Sequence, residues 1–105
     1  PLADGIRLPL THNLFDQEAV FLTNVPSSVT LSAGPGSRGV TVAYPQMPYV
    51  GFWHPAHSEA PLLCIEPWSA LPGREGVLED LRTMPDRIAA PPGETVFNTW
   101  SITLF

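Results

Sequence analysis

The segment Cys64-Ile65-Glu66-Pro67-Trp68 sets a carboxylate two residues from an indole, at the end of the apolar run 61–65. In an extended chain alternate side chains share a face, so Leu62, Cys64 and Glu66 fall on one side and Leu63 and Ile65 on the other. Both sides are apolar up to the carboxylate, the pattern of a strand covered on both faces. Proline has no N–H and a fixed φ, so Pro67 is expected to end the ladder directly after Glu66 and leave the carboxylate at a strand terminus, where loops and pockets lie. A carboxylate beside Trp68, Cys64 and Leu62 suits general acid or base catalysis, because an apolar setting brings its proton exchange nearer neutral pH. The same residue at a strand end can instead pair an arginine. An acid next to an indole also suits a polyol, which offers hydroxyls to the one and an apolar C–H face to the other.

The remaining candidates carry plainer alternatives. His54 and His57 flank Pro55-Ala56 in a loop, a spacing that invites a metal reading. With no Cys pair and no third histidine nearby, no metal site is expected; the two are solvated, or one touches a ligand. His12 stands alone in a polar segment and reads as a surface residue. Asp16, in Leu14-Phe15-Asp16, reads as a turn or helix cap, with acceptance of a substrate hydroxyl as the functional alternative. Trp53 and Trp68 are either core residues or platforms for a sugar face. There is no Ser-His-Asp order, phosphate-cradling glycine loop or nucleotide fingerprint. No second carboxylate occupies a setting like that of Glu66, which argues against a two-carboxylate glycosidase within this chain.

The elements that must position these groups read as short strands. Ile6, Leu8 and Leu10 alternate as in an edge strand or extended arm, residues 14–18 have helical-turn character, and 19–22 form a strand. Residues 28–32 and 39–44 both alternate, and the Gly/Pro cluster at 33–37 between them predicts a hairpin. Residues 49–53 make a compact aromatic strand, and Pro55 makes 54–60 a loop. After Trp68 comes a Gly/Pro-containing loop, with one or two helical turns expected at 77–81 and a turn at Pro92-Gly93-Glu94. The closing run sets Val96, Trp100, Ile102 and Leu104 against Phe97, Thr99, Ser101 and Thr103, which predicts a long strand embedded in a sheet. The reading is antiparallel and all-β.

Composition bounds the partners. The 105 residues allow one modest domain. The apolar fraction is 44%, while the charged fraction of 14% lies well below the usual value of about a quarter, as in a chain that is mostly interior or part of something larger. Ten acids against five arginines, with no lysine, leave a formal charge of −5 and no footprint for nucleic acid. The single cysteine, Cys64, cannot form an internal disulfide and fits a reducing, cytoplasmic compartment. No stretch approaches bilayer length, so no membrane association is expected. The chain opens on Pro1, without methionine, and runs almost at once into strand-like sequence, so it is expected to be a fragment of a longer protein.

Taken together, Leu8-Pro9-Leu10-Thr11-His12, Leu14-Phe15-Asp16, Tyr49-Val50-Gly51-Phe52-Trp53, Cys64-Ile65-Glu66-Pro67-Trp68, Pro92-Gly93-Glu94 and Trp100-Ser101-Ile102 resemble the C-terminal part of the aldose 1-epimerase family. The likeness is to its branch of galactose mutarotase-like proteins related to LacX. It covers nearly the whole chain, and the Cys64 to Trp68 segment is its most specific element. The resemblance implies that residues 1–105 are the C-terminal segment of a single domain, the closing strands of an antiparallel β-supersandwich whose N-terminal portion this chain lacks. It implies Glu66 as the general base, Asp16 as a binder of sugar hydroxyls, and Trp53, His54 and Trp68 as pocket residues. The implied reaction exchanges the α and β anomers of a monosaccharide by acid/base ring opening, without a cofactor. The acid histidine and a sugar-binding arginine of relatives lie in the N-terminal portion, and none of His12, His54 or His57 matches that histidine, so a companion N-terminal segment or chain is expected. The alternatives are a non-catalytic carbohydrate-binding protein on the same scaffold and a glucose-6-phosphate epimerase variant. The scattered arginines speak against the phosphate.

Overall fold

A computed structural model describes residues 2–105. Six short strands, β1 (Val20–Thr23), β2 (Ser28–Ser32), β3 (Gly39–Ala43), β4 (Tyr49–Trp53), β5 (Cys64–Trp68) and β6 (Ser101–Leu104), form two antiparallel three-stranded sheets of order β1-β4-β5 and β2-β3-β6. The one helical element among the described residues is a 3-10 turn at His12–Phe15. The protein is all-β, as the alternation predicts, and the hairpin expected around the Gly/Pro cluster is the β2–β3 pair. No helix among the described residues is long and apolar enough to cross a membrane.

Strand alternation decides what is buried. In the first sheet Val20, Phe52 and Ile65 lie side by side across the three strands, with Leu22, Val50 and Pro67 in the next rank on the same face. In the second, Val29, Val42 and Ile102 share a face with Leu31, Val40 and Leu104. These two apolar faces meet through Val42, Val50 and Phe52, with Phe15 of the 3-10 turn and Tyr44 completing the buried cluster. Tyr44 is wholly enclosed, and its hydroxyl donates to the Pro26 carbonyl oxygen at 3.2 Å.

Four expectations are corrected. Pro67 does not end its ladder: it lies inside β5, paired with Val50, and Glu66 sits at mid-strand opposite Gly51. The physical reason is that β5 is an edge strand, where a residue without N–H is tolerated if that side faces away from the sheet. For the same reason β5 is half-buried along its length rather than covered on both faces. Finally, the closing strand is only four residues long, and all four are exposed. β3 offers partners to β6 only as far as Ala43; the Tyr44 amide faces β2, where it donates to the Ser27 carbonyl, and Pro45, next in line on the β6 side, has no N–H. The Thr99 amide accordingly donates to Gln46 Oε1 at 3.0 Å instead of to a strand. The helical turn expected at 77–81 forms slightly later, where the Thr83 and Met84 amides donate to the Asp80 carbonyl.

Phe15 is 4% exposed and is the link between the 3-10 turn and the core. Phe15→Ala should cost about 3–5 kcal/mol, read as a lowered urea midpoint with an unchanged slope.

Candidate functional site

The face of the first sheet that looks away from the core carries Glu66, Trp68 and Trp53. Register places Phe21, Gly51 and Glu66 in one rank, Thr23, Tyr49 and Trp68 in the next, and Trp53 and Cys64 in a third. Gly51 matters here because it has no side chain. A Cβ at that position would stand 3.0 Å from Phe21 Cε1 and 3.5 Å from Trp68 Nε1, so the gap lets those two rings close over the central strand. They meet edge to face with centroids 5.4 Å apart. Trp68 then reaches back along its own strand, and its Nε1–H donates to Glu66 Oε2 at 3.3 Å. The carboxylate is half-buried, and Oε1 has no hydrogen-bond partner among the described residues. Trp53, 41% exposed, presents its indole on the same face at the far end of β4. Tyr49 donates its hydroxyl to Asp86, and that contact raises the phenol above its ordinary range.

The other predicted residues assemble elsewhere, where the 3-10 turn meets the loop between β4 and β5. Asp16 Oδ1 accepts the His57 backbone N–H at 2.8 Å and Oδ2 lies 3.4 Å from His57 Nδ1, so Asp16 fastens a turn in which His57 adopts φ 53°. His54 is buried, with Nδ1 2.7 Å from the Leu62 carbonyl oxygen and Nε2 2.9 Å from that of Ser58. Both ring nitrogens are therefore engaged within the loop. His12 packs against the His54 ring, centroids 5.0 Å apart, and sets Nδ1 3.1 Å from Glu59 Oε2. No hydrogen bond or ion pair among the described residues joins this group to Glu66. No cluster of three His, Cys, Asp or Glu side chains suited to a metal ion occurs among the described residues.

Comparison with protein-family models, curated proteins and solved structures returned no match. The structure brings Glu66, Trp68 and Trp53 onto one face and separates from them Asp16 and His54, which hold a loop. Sequence reading passed over Phe21 and Gly51. The signal for both was present: an isolated glycine inside a strand pattern marks a close approach, and odd-numbered Phe21 has the parity that puts it on the outward face of β1.

If Gly51 is the clearance for the two rings, Gly51→Ala must push them apart. A loss of about 1–3 kcal/mol is expected, accompanied by a changed near-UV circular dichroism signal from Trp68. An unchanged signal would show that the rings do not depend on the gap.

Proposed function

We propose that the outward face of the first sheet binds a monosaccharide and that Glu66 acts there as the general base of an aldose 1-epimerase-like reaction. The observation that carries this reading is the rank of Glu66 and Phe21 over Gly51, with Trp68 donating to one carboxylate oxygen and leaving the other free to accept. On this reading Oε1 takes the proton of an anomeric hydroxyl. Loss of that proton, with protonation of the ring oxygen by an acid, opens the ring to the aldehyde; rotation about the first carbon–carbon bond and reclosure give the other anomer. Trp68 and Trp53 offer aromatic surface to the C–H face of the sugar. The reading needs no cofactor and is in keeping with a cytoplasmic enzyme of carbohydrate metabolism.

On this reading Asp16 and His54 hold the loop at the strand ends rather than touching the sugar, and the acid comes from a companion N-terminal segment. That segment also accounts for the exposed apolar surface around β6. Phe97, Trp100, Ile102 and Leu104 are exposed at 77, 59, 54 and 78%, and Ile102 and Leu104 prolong the apolar face of Val42 and Val40 beyond the core. Such a strip is what further strands of a larger sandwich would cover.

A second reading, carbohydrate binding without turnover, is favoured by the histidines: all three are engaged in the other cluster, which leaves no imidazole beside Glu66 among the described residues. Polarimetry on freshly dissolved α-glucose and α-galactose separates the two. The intact protein should accelerate mutarotation, and Glu66→Gln should lower kcat by about 10²–10⁴-fold while sugar affinity changes little. Binding with no acceleration even when the companion segment is present would establish the second reading.

Trp68→Phe tests the support of the base. It keeps an aromatic ring but removes the N–H, so it should lower kcat more than it weakens sugar binding; a change confined to affinity would mean that the indole only supplies surface.

A further inference from the structure

All three histidines of the sequence converge on one place, and the geometry of the central one is restrictive. His54 is 3% exposed, and each ring nitrogen faces a carbonyl oxygen at 2.7 or 2.9 Å. A carbonyl oxygen only accepts, and a neutral imidazole has a single N–H. A neutral ring would therefore press a nitrogen lone pair against one of the two oxygens, in a setting with little water to relieve it. Only the imidazolium satisfies both.

The surroundings suit a cation. From the 3-10 turn, His12 and Phe15 lie against the ring, with centroids 5.0 and 5.9 Å away, and Asp16 follows directly. From the loop come Glu59 and His57, and Glu59 is paired with His12 while His57 is paired with Asp16. Each outer histidine thus brings a carboxylate toward the inner one, and both pairs join the same two segments.

We propose that His54 is held as an imidazolium that ties Ser58 and Leu62 back to the end of β4, so that the loop between β4 and β5 is a latch that closes at low pH and is released as pH rises. The Ser58 carbonyl first and the Leu62 carbonyl second raise the ring above its ordinary value of 6.5; the charges of Glu59 and Asp16 add to this, and burial opposes it. Because the closed-state value is the higher one, the latch is fully effective below about pH 6.5 and is lost as pH rises through the raised value. Release frees the strand ends that carry Trp53 and Cys64. An apolar groove of about 300 Å³, bounded by Leu10, Phe15, Leu62 and Leu63, already lies beside the ring in the closed state. This inference does not rest on the carbohydrate reading, and its test does not use activity.

The test is hydrogen exchange and histidine ¹⁵N spectroscopy on the intact protein. The His57, Ala60 and Leu62 amides, which are hydrogen-bonded within this region, report the closed loop. After correction for base-catalysed intrinsic exchange, their protection should fall as His54 titrates, tenfold for each pH unit by which its closed-state value exceeds the ordinary one. In the same range both ring nitrogens should pass from protonated to a single tautomer. Protection that stays flat through the titration, or a ring with one protonated nitrogen while the loop is closed, overturns the proposal. His54→Phe should show at low pH the weak protection of the parent at high pH; a pH response of undiminished size would also overturn it. Should that variant fail to fold, the parent titration decides alone.

Discussion

The structure depends on the two-sidedness of one five-residue strand. β4 is central in its sheet, and its alternation sends Val50 and Phe52 into the core while Tyr49, Gly51 and Trp53 face outward. The inward pair locks the first sheet onto the second and, through Phe15, onto the 3-10 turn. The outward set fixes where rings can gather, because the missing side chain at Gly51 is filled by Phe21 from one side and Trp68 from the other. A shift of one residue in the pairing of β4 would exchange these roles and expose Val50 and Phe52. The core thus sets the register on which the arrangement around Glu66 relies.

Much of this was legible in the sequence, where burial imposes a period of two. β1 to β4 lie within about two residues of their predicted places, since Val29/Leu31, Val40/Val42 and Val50/Phe52 each announce an inward face, whereas β5 starts three residues later than the apolar run 61–65. Pro67 was misread because a proline's meaning depends on whether its strand is central or at an edge, and that is a property of the sheet, not of the segment. The closing strand was overestimated because pattern alone cannot tell how many residues the partner offers; here β3 ends at Ala43 and the strand ends with it. At the site, Glu66 and Trp68 were found through their spacing. Asp16 and His57 were not linked because the bond between them spans 41 residues of chain, and His54 gave no hint that its acceptors would be its own loop's carbonyls.

The two side-chain groups divide labour by their physics. Around Glu66 the contacts are between rings, with one hydrogen bond to the acid, so the face remains open to a ligand. Around His54 nearly every polar atom is already paired, with no buried side-chain nitrogen or oxygen left without a partner among the described residues.

The unequal pairing of β3 also dictates an order of assembly. Its bonds to β2 close over the tight turn at 34–37, whereas its bonds to β6 wait until the whole chain between Ala43 and Ser101 has been drawn back. Loop-closure entropy makes the first contact early and the second late. Because all four β6 residues are exposed, little apolar burial offsets that cost once the strand has docked. β6 is therefore the last strand to join and the first to leave, and a peptidase cutting between β5 and β6 would release it without disturbing the core that orders Glu66.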